Sequence, residues 1–152
     1  MILGAGIGLY FFNSPPAVLF LGDSGSQMLG FLLAVIGISY APINVNQSSS
    51  WVVPILLLSV PIFDAALVVV SRLRRRKPIY LAALDHTYHR LSHIGIESNR
   101  AVLLMHIVSL VLSSFAFVSL AQPPVVSNLI FLLIFVGGGL ALLLLDQHTD
   151  WL

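Results

Sequence analysis

The chain reads as an all-α, polytopic membrane protein, and three observations carry that reading. Of its 152 residues, 58% are hydrophobic and only 9% are charged, and its mean hydropathy is +0.99. Soluble domains carry about 25% charged residues. Two long stretches, 24–63 and 101–145, hold no charge apart from the titratable His106. Each is long enough for two bilayer spans of about 20 residues. All seven basic residues lie between Arg72 and Arg100, which marks that segment as a cytoplasmic loop. Helices follow because they satisfy their own backbone hydrogen bonds in lipid.

The elements come in order. An incomplete apolar segment, 1–12, opens the chain. Pro42 and the polar run 44–50 break the first uncharged stretch, giving spans near 27–43 and 51–70. The basic loop occupies 71–100. Gln122-Pro123-Pro124 breaks the second stretch, giving spans near 101–121 and 125–145. The expectation is four complete transmembrane helices plus a partial N-terminal one, forming one membrane domain over 1–152. Counting from the basic loop puts the segment around Asp23 and the C-terminal tail on the same cytoplasmic side. There are no cysteines, so disulfides and thiolate metal sites are excluded. The N-terminus has no basic n-region and no clear cleavage site, so a removable signal peptide is not expected.

The polar residues carry the candidate chemistry. Asp23 is the first charged residue of the chain, set between Gly22 and Gly25. Helix capping accounts for it: Ser24 and Gln27 have capping-box spacing, and an acid suits a helix N-terminus. The same geometry suits a ligand. Free N–H groups beside glycines receive phosphate, and a carboxylate is a natural ligand for Mg²⁺ shared with phosphate. Both readings stand at this point.

Asp64 lies in Pro61-Ile-Phe-Asp64, inside the second span. A carboxylate at mid-membrane costs about 2.5–3.5 kcal/mol. Asp64 precedes Arg72 by eight residues, or about 12 Å of helix, so it belongs near the cytoplasmic end. There it either pairs with a loop arginine or serves a site. The run Arg72–Lys77 is chiefly a topology determinant. It also attracts anionic head groups, at about 1 kcal/mol per basic residue.

His86, His89 and His93 share one face if their segment is helical, with Arg90 one turn from His86. Zinc is disfavoured by the surrounding arginines, whereas phosphate oxygens suit these donors. The alternative is an ordinary interfacial helix with solvated His and Arg. His106 reads as a helix-packing residue, Gly137-Gly138-Gly139 as a close-packing stripe, and Asp146, His148 and Asp150 as a frayed tail.

Together these motifs resemble the polyprenyl-phosphate N-acetylhexosamine-1-phosphate transferases of bacterial envelope synthesis. That family includes the undecaprenyl-phosphate N-acetylglucosamine-1-phosphate and phospho-N-acetylmuramoyl-pentapeptide transferases. The family pattern Asn-x-x-Pro-Ala-x-x-Phe-x-Gly-Asp-x-Gly-Ser matches Asn13, Pro16, Ala17, Phe20, Gly22, Asp23, Gly25 and Ser26. The Pro-x-x-Asp pattern matches Pro61 and Asp64. The loop motif His-x-His-His-Arg-Leu aligns with His86, His89, Arg90 and Leu91, with Tyr88 where the family commonly has histidine. The family's upstream aspartates have no counterpart, since no acid precedes Asp23, so the likeness is to the C-terminal half of the fold.

The resemblance implies transfer of a sugar-1-phosphate from a UDP-sugar to a polyprenyl phosphate, with release of UMP, at the cytoplasmic face of a bacterial plasma membrane. It implies Asp23 as metal ligand, for Mg²⁺ or Mn²⁺ in its place. Asp23, His86 and His89 would be catalytic, and Asn13, Gly22, Ser24, Arg90 and Asp64 would bind substrate. A homodimer or a complementing N-terminal half is the implied protein partner, and nucleic acid is not one. The competing expectation is a non-catalytic membrane scaffold that binds the lipid phosphate or UDP-sugar with a partner segment. A small transporter fits less well, because the charges cluster at one face rather than at the bilayer midplane.

Overall fold

The computed structural model describes residues 2–13, 18–39, 51–80 and 85–147. Pro16, Ala17, Pro42, the 44–50 turn, His148 and Asp150 lie outside the described residues. Every regular element described is helical: α1 (Ile2–Asn13), α2 (Gly22–Ile38), α3 (Val52–Leu57), α4 (Ser59–Arg74), α5 (Thr87–His93), α6 (Ser98–Leu120) and α7 (Pro124–Gln147). The chain divides into two compact units, Met1–Tyr40 and Ala41–Leu152.

In the first unit, α1 and α2 are apolar helices. The carbonyl of Phe12 accepts from the N–H groups of Val18 and Leu19, both at 3.0 Å, and so ties the end of α1 to the approach to α2. The second helix begins earlier than the expected span, at Gly22 rather than near 27.

In the second unit, α6 and α7 are long and apolar enough to cross a membrane. Their lengths of 23 and 24 residues correspond to about 35 Å at 1.5 Å per residue. They close the expected spans near 101–121 and 125–145 to within a few residues. The break between them is where Gln122-Pro123-Pro124 requires it. Proline has no N–H to lose at the first helical position, and Pro124 opens α7. The outer faces stay bare: Leu110, Leu133 and Phe135 are 70%, 73% and 67% exposed. Such a surface is costly in water and is what acyl chains cover in lipid.

The expected span near 51–70 is two helices, α3 and α4, separated by Leu58. Proline is the cause. Pro61 donates nothing to the carbonyl of Leu57, four residues back, and its ring crowds that carbonyl. The interruption is partly repaired locally. Leu58 N–H reaches Pro54 O at 3.1 Å, and Ser59 Oγ donates to Leu56 O at 2.7 Å. The α3 segment packs on α6 and α7, and α4 packs on the same two helices. Val52, Val53, Leu56, Leu67, Val68, Ala101 and Ala116 are buried between them, and Trp51 meets Phe131 edge-on at 4.8 Å. Ser127 Oγ, fully buried, donates to Ser119 O at 2.8 Å and ties α7 to α6.

Of the glycine stripe, Gly138 alone approaches a neighbour: an added Cβ would lie 4.0 Å from Phe63, and none of its two companions meets anything within 4 Å. His106, read as a packing residue, is exposed on α6.

Two helix ends share one closing geometry. After α5, Gly95 N–H bonds Ser92 O at 3.1 Å and Ile96 N–H bonds Leu91 O at 3.1 Å. After α4, Arg76 N–H bonds Leu73 O at 3.1 Å and Lys77 N–H bonds Arg72 O at 2.9 Å. Both are Schellman closures, which place one residue in the left-handed region. Gly95 takes it at φ 95°, and Arg76 takes it at φ 54°.

Candidate functional site

The first unit carries Asn13, Gly22, Asp23 and Ser24. Asn13 ends α1, and the other three form the first turn of α2. All four are exposed. The capping box expected at Ser24 is not formed, because the helix starts three residues before the position that a Ser24 cap requires. The N-cap position falls on Leu21, which makes no side-chain cap bond. Ser26 Oγ donates to Asp23 O at 3.0 Å instead. The N–H groups at this helix start have no intrahelical acceptor. Gly22 sits at φ 64° with open space around it, so its backbone turn, not crowding, calls for glycine. At Gly25 the need is spatial: a Cβ would lie 2.5 Å from Leu21 Cδ1. The outcome is a solvent-facing carboxylate in the first turn of a helix that carries partial positive charge.

The second unit carries Asp64, His86, His89 and Arg90. Asp64 does not pair with an arginine. One carboxylate oxygen, Oδ1, accepts from Thr87 N–H at 2.6 Å. The other, Oδ2, lies 2.7 Å from His86 Nδ1. Thr87 is the first residue of α5, and His86 is its N-cap in extended conformation. A side chain from α4 therefore caps a helix 23 residues away in sequence. This corrects the expected three-histidine helical face: His86 stands outside the helix, while His89 and His93 lie within it. Tyr88, where a histidine was expected, lies against His89 with ring centroids 4.0 Å apart.

Arg90 is fully buried. Its Nε donates to Asp85 O at 2.9 Å, and its Nη1 reaches Asp146 Oδ1 at 3.3 Å. Burial lowers its guanidinium pKa, against which Asp146 favours the charged form. Asp146 is the surprise. It is not a frayed tail residue but the last buried position of α7, 5% exposed. It accepts from Arg74 at 2.6 Å and pairs with Arg75 at 3.2 Å as well as with Arg90.

A second buried pair lies alongside. Arg72 grips both oxygens of Asp85, at 2.7 and 2.8 Å, and donates to Ile79 O at 2.6 Å. The Arg72 guanidinium holds the Asp85 carboxyl below the usual carboxylate range. The basic run thus does more than set topology, since three of its arginines anchor the loop and the end of α7. A signal for this was present: Asp146 is the first charge after a long uncharged stretch, and charge counting returned it to the side of the arginines. Thr87 carried no signal, because a backbone N–H is not legible as a cap partner across such a distance.

Fold and polar clusters together define a polytopic α-helical membrane protein whose charged groups gather at helix ends. Residues 1–41 match the family model described as Glycosyl transferase family 4. The chain is 30% identical over 118 residues to the Bacillus subtilis protein named "Probable undecaprenyl-phosphate N-acetylglucosaminyl 1-phosphate transferase", covering 78% of this chain and 33% of the relative. It is 30% identical over 117 residues to a decaprenyl-phosphate N-acetylglucosaminephosphotransferase of Mycobacterium tuberculosis, covering 70% and 29%. It is 27% identical over 116 residues to a phospho-N-acetylmuramoyl-pentapeptide-transferase of Bartonella quintana, covering 74% and 30%. No solved structure matches. The chain is therefore similar to these polyprenyl-phosphate and pentapeptide sugar-phosphate transferases over most of its own length, and it spans about a third of the length of the curated relatives it matches.

Proposed function

We propose that this chain takes part in transferring a sugar-1-phosphate, of the N-acetylhexosamine class, from a UDP-sugar to a polyprenyl phosphate, with release of UMP, at the cytoplasmic face of a bacterial plasma membrane. The observation that carries the reading is Asp23: an exposed acid in the first turn of α2, directly after Gly22 at φ 64°, inside the segment that matches the family model. The reaction exchanges one phosphoanhydride for another. Its barrier comes largely from bringing anionic phosphates together, so positioning and charge neutralisation are what a protein can supply.

The donor set in the first unit fits a hard cation. Asp23 offers two carboxylate oxygens, and Mg²⁺ is commonly held by one or two carboxylates with the rest of its shell left to water and substrate phosphate. Bound Mg²⁺ would supply neutralisation of the diphosphate charge. Asp23 would hold the cation, and the N–H groups after Gly22 would receive a phosphate oxygen. His86 and His89 donate to phosphate or nucleotide oxygens. Arg90, buried and engaged by Asp146, acts by fixing the turn that carries His89 rather than by touching a ligand.

The test is Mg²⁺-dependent UMP release by membranes containing this chain. Asp23→Ala is expected to lower turnover by about 100-fold, as loss of a cation that contributes several kcal/mol would. Near-normal turnover in that variant overturns the assignment.

A further inference from the structure

We propose that Asp64 is a positioning residue that fixes His86 as its Nδ1–H tautomer, leaving Nε2 as the nitrogen that meets an anionic ligand. The inference starts from a division of labour between two oxygens. Asp64 Oδ1 is taken by Thr87 N–H at 2.6 Å. Oδ2 lies 2.7 Å from His86 Nδ1. A carboxylate accepts and does not donate, so the imidazole must donate from Nδ1. In a neutral ring only one nitrogen carries hydrogen, which leaves Nε2 open. Asp85, the adjacent acid, is occupied by Arg72 on both oxygens. Asp64 is therefore the carboxylate that faces His86. The His86 side chain is 54% exposed and that of Asp64 is 24% exposed, so the ring stands at the surface with its anchor sheltered behind it.

The chemistry follows from that orientation. On meeting a phosphate oxyanion, Nε2 takes up a proton from solvent and donates it as a hydrogen bond. The imidazolium then lies between two anions, the ligand and Asp64. A charge-assisted bond of this kind is about twice as strong as a neutral one. The part that concerns a ligand rests on the reading of His86 given above, whereas the tautomer does not.

Asp64→Asn separates positioning from mere support. The backbone N–H of Thr87 needs an acceptor, so the amide oxygen must turn to it and the cap is kept. The amide NH₂ then faces His86 Nδ1, which has to accept. The ring inverts to the Nε2–H tautomer, and protonation at Nδ1 is opposed by the amide donors. Asp64→Ala, by contrast, removes the cap and the tautomer control together.

The experiment uses the full chain in detergent micelles with ¹⁵N-labelled histidine, observed at alkaline pH. His86→Gln assigns the His86 signals among the five histidines. The wild type is expected to show hydrogen on Nδ1 and an unprotonated Nε2, and Asp64→Asn the reverse. Any other wild-type state, or an unchanged tautomer in Asp64→Asn, overturns the positioning role. UMP is then titrated into both proteins. A shift at wild-type Nε2, with binding about tenfold weaker in Asp64→Asn, supports the ligand contact. No response to UMP in a chain with the expected tautomers overturns that contact and leaves the tautomer assignment standing.

Discussion

Asp146 offers the sharpest test of what holds the charged end of the second unit in place. Its side chain is 4% exposed and faces three arginines whose side chains are 0%, 26% and 52% exposed for Arg90, Arg75 and Arg74. At 3.3 Å, the Arg90 separation, the gross attraction is about 5 kcal/mol at an effective dielectric of 20. The cost of taking both charges out of water offsets most of it. Removing one partner is different, because the other stays buried and uncompensated, at about 3–5 kcal/mol. Asp146→Asn should therefore destabilise the second unit by about that amount, with the cost residing at Arg90. Arg74 can turn to water, so Arg74→Ala should cost less than about 1 kcal/mol despite its shorter 2.6 Å contact. Arg75→Ala should fall between. The double variant Arg90→Met with Asp146→Asn should recover most of the loss, since replacing both partners of a buried pair is often near neutral. The assay is denaturant unfolding in detergent followed by helical signal. Equal losses for Arg74 and Arg90, or a double variant as unstable as the sum of the singles, would refute the burial-graded account.

Two further outcomes follow from the same elements. The Asp85 carboxyl is held below its ordinary value by Arg72, so its folded value lies below its unfolded one. The pair's contribution is then complete above about pH 4 and is lost as pH falls through the folded value. Acid unfolding should show that loss in the wild type and a shallower slope in Arg72→Met. Arg76, at φ 54°, occupies a position that glycine takes after α5, and left-handed backbone costs a non-glycine residue about 1–2 kcal/mol. Arg76→Gly should raise stability by about 0.5–1 kcal/mol after the entropic cost of glycine, whereas a fall in the unfolding midpoint would contradict the closure described for α4.

The apolar helices were legible because hydropathy and helix breakers are local. Pro124 opened α7 where the sequence placed the break. The interruption at Leu58 was legible in principle from Pro61, but an unbroken run of hydropathy over 51–70 concealed it. Asn13, Gly22 and Asp23 were legible as a motif, and the structure added the early helix start and the glycine's backbone turn. The polar partners were read less well. Asp64 was left between a loop arginine and a site, and it binds a histidine and a backbone N–H. Asp146 was read as tail and anchors three arginines.

The sequence by itself determined the membrane class, the helical elements, the family motifs and the residues able to carry charge, because these follow from composition, spacing and backbone chemistry within a turn or two. Only the tertiary structure decided which charges meet. Arg72 with Asp85, Asp64 with His86 and Arg90 with Asp146 are 13, 22 and 56 residues apart. Several acids stand within reach of several bases along the chain, and the packing of α4, α5 and α7 selects the pairs that leave each buried charge beside its opposite.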